Sequence, residues 1–460
     1  MPLKNKEYFL FSLLFSIIIS IKEDSMIVFP FKTIPIPTLA NYQRDKNYDG
    51  INRTLIKNYN SSIFFDDHYI FRLLSPVKIG TPEQDIISFI NTYHNNLLIG
   101  ELYGIPNRIF PENFYKGYQY NKSSSFINNT SQNNNSISDE PNFFIGQENL
   151  YLFTKINDIK ENKYTNFSNI KFKIENKVKY ESNILFGLTI GLILDDKNYE
   201  TNFMKQIHDR NIISSYLVSF EYINENEGLL IIGKYPHQYL PEKYKEDQYK
   251  SFYSYQPKTM YLTNFDIEFD EIYSFVNNEK NVIQKRPKGN LFLNSALIVG
   301  TKEYMEFIKE NFFDKYLNNN ICEKNITNTA FYDFITFSCY DDKNIYINKF
   351  PNLYFGISSQ NLTFEFTYKD LFKKINDKYY FLIIFEQNGE GAWRIGKPFY
   401  LKYTFVYNGD AKTIGFYQRK IENQKEEKRT DNDNNNFHFE LNTLTIIIII
   451  ISLLVFIFWL

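Results

Sequence analysis

Tyr69-Ile-Phe-Arg-Leu-Leu-Ser-Pro-Val-Lys-Ile79, Gly80-Thr-Pro-Glu83 and Gln84-Asp-Ile-Ile-Ser-Phe-Ile90 follow one another, and Asn91-Thr-Tyr-His-Asn-Asn-Leu-Leu-Ile99 continues the chain. The first run reads as a strand, the Gly-Thr-Pro-Glu segment as a turn, and Asp85–Ile90 as a second strand. Together they predict a β-hairpin that leads directly into a polar loop beginning at Asn91.

Outward from this hairpin the same grammar continues. Residues 119–142 are rich in Asn and Ser and read as a surface loop, and 149–190 resumes as short β segments. Phe203–Ile213 has helical spacing, after which Tyr216–Tyr222 and Gly228–Gly233 return to strand. A second half follows the same order. Strands run from Met260 to Phe275, the apolar run Leu291-Phe-Leu293 leads into Asn294, a helix covers roughly Glu303–Tyr316, and strands continue to Phe416. Residues 23–66 carry Pro30, Pro35 and Pro37 with little periodicity and read as a pro-segment or linker, whereas 419–440 is a charged, Asn-rich stalk.

The chain of 460 residues is 43% hydrophobic and 18% aromatic, enough apolar material for a large two-lobed core, which excludes general disorder. Lys and Arg number 51 against 53 Asp and Glu, and no dense basic run is paired with aromatics, so the footprint of a nucleic-acid binder is missing. Neither G-x-G-x-x-G nor G-x-x-x-x-G-K-[ST] occurs. His68, His94, His208, His237 and His438 are scattered and H-E-x-x-H is absent, so no metal site and no cofactor are expected.

Both ends address the chain to membranes. Tyr8–Ile21, after Lys4 and Lys6, has the length of a signal-peptide core, and residues 1–22 are expected to act as one. Leu441–Leu460 is apolar and long enough to cross ~30 Å of hydrocarbon as a helix. It fits either a single-pass anchor or a lipid-anchor signal. The expected location is the secretory pathway, with a luminal or extracellular ectodomain. In that oxidising compartment Cys322 and Cys339 can close a disulfide loop worth on the order of 3 kcal/mol. The acceptor motifs at Asn52, Asn60, Asn121, Asn128, Asn166, Asn325 and Asn361 become usable there.

Over about residues 67–418 the chain resembles the pepsin-like aspartic peptidases, plasmepsins included. Ile79-Gly-Thr-Pro-Glu-Gln84 and Ile87–Ile99 look like the family's I-G-T-P-x-Q hairpin running into F-D-T-G-S-S-N-L-W-V. Ile184-Leu-Phe-Gly-Leu188 is similar to G-I-L-G-L. Ile335–Cys339 and Phe350–Phe355 resemble the apolar stretch ending in Cys and the L-P-x-I-x-F stretch, and Trp393–Tyr400 resembles W-I-L-G-D-x-F. The resemblance implies a mainly β, bilobal fold in which two β-barrel-like lobes, 67–250 and 251–418, face each other across a central cleft. Each lobe contributes one catalytic loop.

In that family one Asp from each loop meets its partner at the cleft floor, and the pair shares a proton while activating water. The matching residues here are Asn91 and Asn294, and an amide does not titrate near neutral pH. The flanking positions have changed too: Thr92 is followed by Tyr93 and His94, and Asn294 by Ser295 and Ala296, so glycine is missing from both loops. Tyr151 is the candidate for a flap tyrosine, and Lys397 stands where the family has Asp. The resemblance therefore implies an aspartic-type endopeptidase scaffold without catalysis, tethered to a membrane and binding a polypeptide or protein partner in its cleft. The rival readings are a divergent active peptidase dependent on His94, and a structural or adhesive surface protein.

Overall fold

A computed structural model describes residues 26–35, 71–91, 97–100, 118–129, 143–175, 187–192, 200–253, 266–293, 295–328, 333–387 and 392–418. In its first half the described strands are β1 Ile27–Pro35, β2 Phe71–Ile79, β3 Gln84–Asn91, β4 Leu97–Gly100, β5 Ile127–Asn128, β6 Phe143–Leu152, β7 Thr165–Glu175, β8 Gly187–Gly191, β9 Leu217–Tyr222, β10 Glu227–Ile232 and β11 Tyr249–Tyr253. Those of the second half are β12 Asp266–Glu268, β13 Glu271–Val276, β14 Glu279–Lys285, β15 Lys288–Leu291, β16 Ile298–Gly300, β17 Cys322–Asn328, β18 Asp333–Tyr340, β19 Leu353–Ile357, β20 Leu362–Phe366, β21 Phe372–Ile375, β22 Lys378–Phe381, β23 Ile383–Glu386, β24 Trp393–Ile395, β25 Tyr403–Asn408 and β26 Thr413–Gln418. The protein is mainly β, built of antiparallel and mixed sheets. No closed barrel forms among the described residues, and β2 reaches β6 through only two register pairs.

The opening hairpin forms as its sequence reads. β2 buries Leu73, Ser75, Val77 and Ile79 and turns Pro76 and Lys78 the other way, the two-residue period of a strand with one covered face. Gly80 turns the chain at φ +88°, a conformation that costs other residues a Cβ clash. Side chains then pin the turn: Thr81 donates its N–H to Ser123 Oγ at 2.8 Å, and its Oγ1 accepts from Ser125 Oγ at 2.8 Å and Asn149 Nδ2 at 3.2 Å. Below them the buried Glu148 carboxylate accepts from Tyr118, Ser125 and the Asn149 N–H, so the hairpin that carries Asn91 rests on a satisfied polar network.

Residues 27–35 do not behave as a linker. β1 pairs with β10 through Ile27–Lys32 and with β2 through Lys32–Pro35, and Ile27, Val28, Phe29 and Phe31 are buried on its two faces. Pro30 fits because Val28 donates its N–H away from β10, to Phe153 O at 2.9 Å, so the residue two places on has its missing donor on that same side, where pairing with β2 has not begun. The rest of the expected pro-segment, residues 36–66, lies outside the described residues. So do the signal-peptide segment, the stalk and Leu441–Leu460; among the described residues no helix is long and apolar enough to cross a membrane.

The two halves repeat one topology. The order β2-β3-β8-β4-β7-β6 in the first sheet and β12-β15-β24-β16-β23-β18 in the second are matched strand for strand. Both read antiparallel, parallel, antiparallel, parallel, antiparallel across neighbouring pairs. Chain order within the repeat is the same as well. In the first sheet β5 edges β6, and beyond β2 the strands run β1-β10-β9-β25-β26-β11, so strands from beyond residue 400 complete a sheet begun at residue 27.

Aromatic rings fill much of the described core. Trp393 is fully buried against Tyr304 and Phe355, and Phe312 and Phe313, on the helical stretch Lys302–Leu317, pack among Phe337, Phe350, Phe372 and Phe381. The expected disulfide is present: Cys322 and Cys339 are register partners on β17 and β18 with an S–S distance of 2.08 Å.

Candidate functional site

Asn91 ends β3, its backbone paired with Gly191 on β8. Thr92, Tyr93 and His94 lie outside the described residues, and so does Asn294. Ser295 and Ala296 are described. Ser295 is buried; its N–H donates to Phe292 O at 3.2 Å, its Oγ to Leu297 O at 2.7 Å, and its carbonyl accepts the Lys397 N–H at 2.8 Å. Ala296 beside it is half-buried. Gly396 lies against this turn so closely that a Cβ there would stand 2.1 Å from Leu297 O.

Register decides which residue of the second loop corresponds to Asn91. Thr189 on β8 lies between Phe89 and Leu98, and Arg394 on β24 lies between Asn290 and Val299. The two flanking pairs have the same sequence separation, and along β8 that separation occurs at Thr189 alone. Phe89 is thus equivalent to Asn290, Ile90 to Leu291, and Asn91 to Phe292. The expected pairing of Asn91 with Asn294 differs from this register, and Asn294 itself lies outside the described residues. The cause is that the apolar run Leu291-Phe-Leu293 prolongs the ladder, with Phe292 donating its N–H to Ile395 O at 2.8 Å. The sequence did hold the signal: Ile90 to Leu97 and Leu291 to Ile298 span equal distances.

The flap candidate, Tyr151, is among the described residues. Tyr151 is a half-buried strand residue within β6, with Lys78 of β2 on one side and Asn166 of β7 on the other. β5 pairs with β6 further along that strand, at Gln147 and Gly146.

Two ionisable groups near the second loop are perturbed. Lys397 Nζ lies 3.5 Å from both Thr33 Oγ1 and Asn226 Oδ1 and 5.7 Å from the centre of the Tyr222 ring. Burial pushes its pKa down to about 8, aided by Lys373 and opposed by Glu225. Asp266, the register partner of Asn290, is pushed up to about 6 by burial, with Lys288 pulling the other way. Among the described residues no three His, Cys, Asp or Glu side chains come together as a metal-ligating set.

At the two equivalent loop positions the chain therefore has an amide-bearing residue and a hydrocarbon ring. Neither can hold and return a proton near neutral pH, so the pair cannot perform general acid–base work on a water molecule. Comparison with protein-family models gives no match, and comparison with curated proteins gives none either.

Proposed function

We propose that this chain is a bilobal, pepsin-fold protein of the secretory pathway, tethered to a membrane through its C-terminal segment, that has no peptidase activity and binds a polypeptide or protein partner in the cleft between its lobes. The observation that carries the reading is the duplicated six-strand topology, in which the same loop position follows the same strand in each half and neither position is an acid. A scaffold that keeps both strand frameworks while replacing both proton carriers retains the means to hold an extended chain and lacks the means to cut it. The residue order Ile79–Ile99 and the stretch around Trp393 support the family reading from the sequence side.

The test uses the full chain in detergent, incubated with an unfolded, fluorescein-labelled protein substrate from about pH 3 to pH 7. Binding without cleavage across that range is the expected outcome. Cleavage that survives repurification and disappears on His94→Ala would instead establish the divergent-peptidase reading.

A further inference from the structure

We infer that Asn361 carries an N-linked glycan whose first N-acetylglucosamine rings fold back onto the aromatic, solvent-facing side of the sheet β14-β13-β19-β20. The inference rests on the proposed secretory-pathway reading, and adds to it a modified residue and the surface that the modification covers.

Pairing and burial define that surface. The four strands lie side by side in the order β14-β13-β19-β20, and Ile272, Ser274, Phe355, Phe364 and Phe366 are buried on one side of them. The other side carries Val282, Tyr273, Tyr354 and Glu365 in register across the sheet, with Phe275 beside this row on β13. Tyr273 and Tyr354 stack with ring centres 5.0 Å apart and planes 8° apart, and Phe275 meets them edge-on at 5.8 and 5.5 Å. Yet Phe275 stays 44% exposed and Val282 41%. Three ordered rings on a face open to water leave apolar area that a covering group would bury.

The edge of the same sheet supplies the occupant. Asn361-Leu-Thr363 is an acceptor motif, and Asn361 is exposed at φ +49° in the turn that follows Ser358–Gln360 and leads into β20. Thr363 is exposed as well, on the side of the strand that carries Glu365. Asn361 precedes Glu365 by four residues, which places it within about 13 Å. The way between them is low, because the register partner of Thr363 is Gly356, where a Cβ would meet nothing closer than 3.5 Å, so packing does not itself demand a glycine there. N-acetylglucosamine matches what lies beyond. One side of its ring is lined by C–H groups that pack on aromatic rings, and its hydroxyls need hydrogen-bond partners. The Glu365 carboxylate accepts from Tyr354 Oη at 2.8 Å and Asn352 Nδ2 at 3.0 Å and keeps acceptor capacity for a sugar hydroxyl. Attachment is a transfer from a polyprenyl-diphosphate sugar donor: the bond from Asn361 Nδ2 to the sugar C1 forms as the C1–oxygen bond breaks, the diphosphate leaves with the electron pair, and Nδ2 loses one proton.

The test uses the full chain made in insect cells and extracted in detergent. Enzymatic release of N-glycans in heavy-oxygen water, read by peptide mass spectrometry, is expected to mark Asn361. Marks at other acceptor asparagines and none at Asn361 overturn the inference and leave the secretory reading standing, whereas no mark anywhere sinks the secretory reading itself. Coverage is read by hydroxyl-radical footprinting. Phe275 and Tyr354 are expected to oxidise about threefold faster in Thr363→Ala, which removes the motif and keeps the Asn361 turn, and at the unmodified rate in Thr363→Ser, which keeps both. Unchanged rates in Thr363→Ala, or equal rises in the two variants, overturn the packing of the glycan on this face. Should Thr363→Ala not fold, the folded unmodified chain before and after glycan release gives the same comparison.

Discussion

Lys397 carries its ammonium group into a partly closed space between Thr33 and Asn226, and its pKa has fallen from 10.5 to about 8. In the unfolded chain the ordinary value returns. Between these values the unfolded state binds more protons than the folded one, so stability rises with pH through that window and the penalty is fully present below it. Lys397→Met is expected to give the more stable protein at pH 7, with its advantage shrinking as the pH passes from about 8 to 10; urea midpoints of both chains at each pH measure this. Asp266 has the opposite sign. Its pKa is raised from 3.8 to about 6, so the folded state holds the proton longer, and the resulting stability is complete below about pH 3.8 and lost as the pH climbs through 6. The difference in stability between the unmodified chain and Asp266→Asn should therefore decline across that interval, and a flat difference would show that the carboxyl is not buried as described.

Among the elements, β1 separates what the sequence discloses from what it hides. The hairpin of β2 and β3 was legible because its alternation, its glycine and its proline all speak within twenty residues. β1 was not, because its prolines suggest a linker and its apolar run lacks the alternation of a half-buried strand. Both features follow from its place: it is covered on two faces, and Pro30 directs its missing donor to the side left unpaired at that point. Phe31 shows how much this strand contributes. Its ring stacks on Phe220 at 4.8 Å and meets Tyr222 edge-on at 5.3 Å. Phe31→Ala is expected to cost about 3–5 kcal/mol in urea unfolding, the range for removing a buried aromatic ring. Pro30→Ala should cost under about 1 kcal/mol, since no ladder bond is at stake there. The candidate site was legible in part. Asn91 follows a strand whose end is plain in the sequence. Its register counterpart Phe292 was hidden, because Leu291-Phe-Leu293 contains no polar residue to mark a loop.

At the scale of the molecule, a duplication of two six-strand frameworks is joined by strands that ignore the boundary between them. β25 and β26 come from the end of the chain, yet β25 pairs with β9, and β26 is the partner of β11. Seen from residue 253, the first half is thus incomplete: β9 would present an open edge where β25 belongs, and β11 would have no strand to bind. Buried aromatic contacts follow the same division. Phe220 on β9 meets Tyr400, and Tyr249 on β11 packs against Tyr417 and covers Gly415, so removing the second half strips apolar cover from the first. A fragment ending at residue 253 is accordingly expected to stay unfolded or aggregate, judged by near-ultraviolet circular dichroism and protease resistance. The complementary fragment, beginning at residue 254, should behave likewise, and mixing the two during refolding should recover a protease-resistant complex. A stable, monomeric first half on its own would mean that the shared sheet is not what holds the duplication together.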